Sequence, residues 1–253
     1  MSGRLFIVGL GPGDPSLQAP RAAEVLAQAT DVVGYGPYVA RVPERTGLTR
    51  HITDNREEIS RARHALHLAA EGRSVAVVSS GDPGVFAMAS AVFEAIEAGT
   101  PGWRAIDIEV VPGVSAMFAA AARLGAPLGH DFCAISLSDN LKAWDVVLER
   151  LTAVARAGFV IALYNPISKA RPWQLGAAFE RLREVLGPQT PVAFARAISR
   201  PDERLLTTDL ASARPGDADM STLVLIGSAQ TRRLERGDGR SWLYTRRSLE
   251  AAS

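Results

Sequence analysis

Between Gly9 and Asp14 the chain reads Gly-Leu-Gly-Pro-Gly-Asp, directly after the apolar run Leu5-Phe6-Ile7-Val8. A strand that ends in such a loop offers bare main chain to a ligand, because glycine puts no Cβ in the way. The spacing excludes the dinucleotide fingerprint. A Gly-x-Gly-x-x-Gly pattern starting at Gly9 needs glycine at position 14, where Asp14 stands, and Pro12 has no N–H with which to cradle a phosphate. An NAD-dependent oxidoreductase also needs an acid at the end of the second strand, and that strand ends in Tyr35-Gly36.

Three more segments follow apolar runs in the same way: Ser79-Ser80-Gly81-Asp82-Pro83-Gly84-Val85-Phe86, Pro112-Gly113-Val114-Ser115-Ala116 and Tyr164-Asn165-Pro166. Singly, each has a plain structural reading. Asp82 can cap a helix starting near Val85, Ser115 can open the next helix, and the tyrosine, asparagine and proline can form a turn. In open α/β sheets, however, ligands lie beyond the carboxyl ends of strands, so the four loops are expected to line one cleft.

The elements that position them alternate. Strands are expected at Leu5–Val8, Asp31–Tyr35, Ser74–Ser79 and Ile106–Val111, with helices at Leu17–Ala29, Glu57–Ala70 and Val85–Glu97 between them. That order implies an α/β class with a mostly parallel sheet. Two glycines and a proline in Leu124–His130 interrupt it, which suggests an N-terminal α/β domain over 1–125 and a C-terminal one over 130–253. The second half is expected to hold strands at Phe132–Leu137, Phe159–Tyr164 and Pro191–Ala197, with helices at Trp144–Ala157 and Pro172–Leu186. The short runs Leu205–Thr208 and Leu223–Ile226 have no helix between them, which points to antiparallel strands in a mixed sheet. The arginine-rich tail, Arg232, Arg233, Arg236, Arg240, Arg246 and Arg247, reads as solvated surface.

Composition narrows the function classes. With 28 basic against 27 acidic residues, net charge gives no support to nucleic-acid or anionic-membrane binding. A single cysteine, Cys133, excludes an internal disulfide and reads as a small core hydrophobe. His51, His64 and His67 lack partners at metal-binding spacing and read as surface residues, so no metal is expected. The N-terminal apolar stretch is too short for a signal peptide, and no run approaches a membrane span, so a cytoplasmic location is expected.

Taken together, Gly9–Asp14, Gly81-Asp82-Pro83 and Pro112–Ala116 resemble the tetrapyrrole methylase family of S-adenosylmethionine-dependent enzymes, in order and over essentially the whole chain. Within it, Gly34–Val39, Ser79–Met88 and Tyr164–Lys169 look most like the members that methylate C17 of precorrin-3B, with ring contraction, in cobalamin biosynthesis. Members acting at C11 of precorrin-4 or C20 of precorrin-2, and a non-catalytic module for an anionic ligand, stand as alternatives. The resemblance implies S-adenosylmethionine folded in a cleft between two α/β domains. Its contacts would be Pro12, Ser80, Gly81, Asp82, Val85, Phe86, Ser115 and Ala116, with Asn165 and the stretch from Ala193 to Ile198. The carboxylate-bearing tetrapyrrole would be met by Lys169, Arg171, Arg196 and Arg200. Gly36 stands where the uroporphyrinogen methylases carry an aspartate, so the group that handles protons is unidentified, with Ser115, Tyr35, Tyr38 and His130 as candidates. The resemblance and the apolar excess of Val85–Ile96 also suggest a homodimer.

Overall fold

Runs such as Leu5-Phe6-Ile7-Val8 and Val75-Ala76-Val77-Val78 are apolar at every position, which suits strands covered on both faces. The computed structural model describes residues 3–54 and 57–248, and the chain divides into two units, 1–116 and 117–253.

In the first unit, strands β1 (Arg4–Gly9), β2 (Asp31–Tyr35), β3 (Thr49–Thr53), β4 (Ser74–Ser79) and β5 (Asp107–Val111) form one sheet in the order β3-β2-β4-β1-β5. Every pairing is parallel. Alternate residues point to opposite faces. Leu5, Ile7, Val75 and Val77 pack under helices α3 (Glu58–Ala70) and α4 (Met88–Glu97), while Phe6, Val8, Ala76 and Val78 pack with Ala22, Val25 and Leu26 of α1 (Pro20–Gln28). The short helix α2 (Gly36–Val39) follows β2.

Helix α5 (Ala116–Leu124) begins at the last residue of the first unit and runs into the second. The second unit's main sheet, in the order β10-β9-β11-β8-β7, is built from β7 (Phe132–Ser136), β8 (Val160–Tyr164), β9 (Pro191–Arg196), β10 (Arg204–Asp209) and β11 (Thr222–Ile226). Only β7 and β8 pair in parallel, and β11 runs antiparallel to β8 and β9, as the helix-free ending of the sequence implies. Helices α6 (Trp144–Arg156) and α7 (Gln174–Arg183) cover one face around Leu151, Leu163, Phe179 and Phe194.

Several expectations are corrected. The helix expected over Leu17–Ala29 is split, because the Asp14 carboxylate accepts the Ser16 N–H at 2.8 Å and caps a separate turn of 3-10 helix at Pro15–Leu17. Strand β3 escapes notice because Thr-Arg-His-Ile-Thr is an edge strand with a single aliphatic residue. The division between units falls at Ala116/Met117, ahead of the interrupted segment. That segment is tied into the second unit, where β6 (Gly125–Ala126) pairs with β13 (Ser241–Thr245). The arginine-rich tail lies at the surface as expected, with Arg233, Arg240 and Arg247 exposed, but it is ordered. It forms a hairpin of β12 (Thr231–Glu235) and β13, with Arg236 lying over the Trp242 ring.

His51 is also more than a surface residue. Its Nε2 lies 2.8 Å from a carboxylate oxygen of Asp31, its Nδ1 lies 3.0 Å from Nε2 of His64, and Asp31 is only 1% exposed. Thr30 Oγ1 and the Arg73 guanidinium donate to the same carboxylate at 2.7 and 2.9 Å. Burial pushes the Asp31 carboxyl up, but the hydrogen bonds from His51, Thr30 and Arg73 outweigh it and hold the group below the ordinary aspartate range. Its contribution is therefore complete above the unfolded value of about 3.9 and lost as pH falls through the lower folded value. Asp31→Asn is expected to lower stability by about 2 kcal/mol at neutral pH and to flatten the acid limb below about pH 4. Urea unfolding at pH 7 and pH 3 checks this; equal losses on acidification in parent and variant would contradict it.

Candidate active site

Strands β4, β1 and β5 are neighbours in that order, so the loops leaving their carboxyl ends emerge side by side. Glycine decides how close they come. A Cβ on Gly9 would stand 2.7 Å from the Gly81 oxygen and 2.8 Å from the Gly113 nitrogen, and one on Gly113 would stand 2.3 Å from that same oxygen. No side chain fits at either place, so the three loops touch main chain to main chain. Reciprocal hydrogen bonds join two of them: Gly11 N–H donates to Gly81 O at 3.2 Å, and Gly81 N–H to Gly11 O at 2.9 Å. Gly11 and Gly81 adopt φ of 70° and 66°, which an L-residue reaches only with strain.

Asp82 does not cap a helix. Helix α4 starts later, at Met88, and the Asp82 carboxylate instead accepts Gly84 N–H at 2.8 Å and Gly113 N–H at 3.0 Å. It thus ties its own loop to the one after β5, and each oxygen keeps a lone pair for a further donor. The late helix start follows from Phe86, whose φ of 51° breaks the helical path and leaves the ring 50% exposed. A Cβ on Gly81 would meet the Ser115–Ala116 backbone at 3.7–3.8 Å, so the two segments are neighbours. Ser80, Gly81, Asp82, Ser115 and Ala116 are therefore brought together within the first unit, and buried Pro12 lies in the loop that bonds to Gly81. Tyr35 and Tyr38 stand at the end of β2 with their rings edge to face, 5.3 Å apart.

One participant carries no motif. Arg41, just past α2, donates to the carbonyls of Leu10 and Gly11 at 2.6 and 3.1 Å and to Ser80 Oγ at 3.3 Å. A lone arginine in Val39–Val42 gives no sequence signal of this.

In the second unit, Asn165 follows β8 with φ of 52°, and its side-chain amide donates to Ser136 Oγ at 2.9 Å. Tyr164 accepts Met117 N–H at its hydroxyl at 3.2 Å. Ile198 is buried in the loop after β9, between Ala197 and Ser199 at φ of 47° and 61°. Ala193 sits within β9 and is fully buried, away from that loop.

The expected basic grip is largely occupied. Arg196 is held by Asp202 at 2.8 Å and Asp219 at 2.6 Å, and Arg171 by Asp139 at 3.0 Å and Ser138 Oγ at 2.7 Å. The Arg171 hydrogen bond draws the Asp139 carboxyl below its ordinary range, as an engaged pair should. Lys169 is exposed with no ion pair among the described residues, and Arg200 is exposed midway along the loop from β9 to β10. His130 precedes β7, at the strand end opposite Ser136 and Asn165.

Residues 4–214 match the family model of tetrapyrrole (corrin/porphyrin) methylases. The chain belongs to that family. This methylase is 55% identical over 253 residues to the precorrin-3B C(17)-methyltransferase of Sinorhizobium sp, the match covering all of both chains. The crystal structure of the methyltransferase CobJ is similar to it with a TM-score of 0.92 at 54% identity, covering 97% of this chain and 100% of that one. A uroporphyrin-III C-methyl transferase from Thermus thermophilus, solved complexed with S-adenyl homocysteine, is similar with a TM-score of 0.68 at 25% identity, covering 89% of this chain and 97% of that one.

In a methylase whose loops meet in this way, the two kinds of glycine should respond differently. Gly113→Ala drives a methyl group into the Gly81 carbonyl and is expected to abolish S-adenosylhomocysteine binding and lower the melting temperature. Gly81→Ala meets only van der Waals contacts and should cost about 1–2 kcal/mol through its positive φ. Calorimetric titration and thermal unfolding of both variants check this, and a Gly113→Ala protein with parental affinity and melting temperature would contradict it.

Proposed function

We propose that this chain transfers a methyl group from S-adenosylmethionine to C17 of precorrin-3B, with contraction of the ring, in cobalamin biosynthesis. The full-length 55% identity to a precorrin-3B C(17)-methyltransferase is the observation that carries the reading. The first unit's loops fit the cofactor: Gly81 puts no Cβ in the way, the Asp82 carboxylate retains acceptor capacity, and Phe86 presents an exposed apolar ring in the same loop. In that role Gly81 and Ser80 hold the ligand by main-chain approach, Asp82 accepts from its amino or hydroxyl groups, and Val85 and Phe86 exclude water. Ser115, Ala116 and Pro12 complete the wall in the first unit, and Asn165 and Ile198 are the contacts proposed from the second.

S-adenosylmethionine supplies an electrophilic sulfonium methyl group. The ring carbon of an electron-rich tetrapyrrole supplies the nucleophile, so what remains for the protein is orientation, an effect of about 7–11 kcal/mol when reacting atoms are well aligned. Strained, closely packed loops suit that task, because they do not relax away from the ligand. Ring contraction needs proton transfer in addition, and the Tyr35–Tyr38 pair beside Gly36 is the site we assign to it, in preference to His130. Lys169 is the cation we assign first to the substrate's carboxylates, since Arg171 and Arg196 already hold acids, with exposed Arg200 on the loop after β9 as a second.

We also propose that the enzyme acts in the cytoplasm as a homodimer. Helix α4 leaves Phe93 49% exposed, more apolar surface than one packed face requires. Among the described residues no helix is long and apolar enough to cross a membrane.

Anaerobic incubation with S-adenosylmethionine and precorrin-3B, precorrin-4, precorrin-2 or a cobalt-loaded tetrapyrrole, with mass and nuclear magnetic resonance analysis, tests the reaction. The expected product is a ring-contracted species methylated at C17 from precorrin-3B; methylation at C11 or C20 would overturn the assignment. Light scattering is expected to report twice the 26.9 kDa chain mass, and a monomer at micromolar concentration would refute the dimer.

A further inference from the structure

The loop after β1 is poorly equipped to hold itself. Pro12 removes one main-chain donor, Gly11 needs a positive φ, and Gly13 adds further freedom, yet the loop packs closely on the Gly81 turn. Donors from outside the loop can fix carbonyls that its own main chain does not reach. Arg41 is placed to be such a donor. Its guanidinium spans two consecutive carbonyls of one loop, Leu10 and Gly11, and the hydroxyl of Ser80 in the other. Leu10 is 2% exposed, and among the described residues Arg41 is the one donor to its carbonyl.

We propose that Arg41 is a positioning residue of the methyl-transfer site, locking the Gly9–Asp14 loop against the Ser80–Gly84 loop so that both present their main chain to the cofactor in one geometry. The inference rests on the reading that these loops bind S-adenosylmethionine. Its chemistry calls for arginine: a planar fork reaches three oxygens on two loops together, whereas an ammonium group on a lysine stem satisfies one or two. Arg45, a few residues on, makes a comparable clasp on the carbonyls of Leu26 and Ala29 at the far end of α1, and supplies a control for ordinary stabilisation.

The test uses the full chain and the variants Arg41→Gln, Arg41→Lys and Arg45→Gln. Three quantities are read: amide hydrogen exchange over residues 10–18 and 79–84 without ligand, the dissociation constant for S-adenosylhomocysteine, and kcat with both KM values. Arg41→Gln is expected to speed exchange in both segments and to weaken S-adenosylhomocysteine binding by roughly tenfold or more, the loss of at least one well-made hydrogen bond. Its KM for S-adenosylmethionine should rise and its KM for the tetrapyrrole should stay within about twofold, since the loops whose oxygens Arg41 holds are the ones read as the cofactor's. Arg41→Lys should recover the melting temperature but only part of the loop protection. Arg45→Gln should lower the melting temperature and leave loop exchange and ligand affinity at parental values. If Arg41→Gln does not fold, Arg41→Lys carries the test, with loop exchange faster than in the parent and S-adenosylhomocysteine binding weakened by about threefold or more. Parental exchange and affinity in the folded Arg41 variants would overturn the proposal. A parent chain that fails to bind S-adenosylhomocysteine, with loop exchange still rising in Arg41→Gln, would instead overturn the cofactor reading and with it the role assigned to Arg41.

Discussion

Gly9, Gly81 and Gly113 meet where three parallel strands end, and their mutual approach is closer than any side chain permits: the place a Cβ would take on Gly113 lies 2.3 Å from a carbonyl oxygen. Much else in the first unit follows from that contact. The Gly11–Gly81 hydrogen bonds form only if the loops touch, and the Asp82 carboxylate reaches Gly113 N–H only because the turn after β5 is drawn in beside it. Since β1 is flanked by β4 and β5, the parallel order of the sheet delivers the three loops to one edge before any loop residue makes a contact. The sheet sets the approach, and glycine allows it to close.

Strain is concentrated at the same kind of place. The described non-glycine residues with left-handed backbone are Phe86, Asn165, Ala197 and Ser199, and each lies in a loop beyond the carboxyl end of a strand. Each conformation costs on the order of 1–3 kcal/mol and persists only where neighbouring structure enforces it. In the second unit the Asn165–Ser136 hydrogen bond holds the residue after β8. Phe86 shows the functional side of the arrangement. Its backbone delays α4 to Met88 and turns a large aromatic ring outward instead of letting it pack as a first-turn residue.

Elements whose burial is uniform were legible in the sequence: β1, β4, β8 and β9 are nearly continuous apolar runs, and the structure covers them on both faces. Where burial is partial, the pattern fades. Strand β3 spends Thr, Arg and His on an edge, and the β12–β13 hairpin hides among arginines that pair with Glu235 and Asp238. At the site, the glycine and proline motifs located the loops, because main-chain geometry is written in those residue types. Their side-chain partners were not written there. That Arg196 is already held by Asp202 and Asp219, that Asp31 gathers His51 and Arg73, and that Arg41 clasps Leu10, Gly11 and Ser80 are facts of tertiary placement. No local spacing encodes them.

The central claim is that glycine-mediated contact among the loops after β1, β4 and β5 builds the cofactor-binding surface of the first unit. A crystal structure of this chain with S-adenosylhomocysteine tests it most directly. The account predicts ligand atoms in van der Waals or hydrogen-bonding contact with Ser80, Gly81 and Asp82, with the Gly11–Gly81 and Asp82–Gly113 hydrogen bonds intact. A ligand bound away from these residues, or loops that have separated to admit it, would contradict the account.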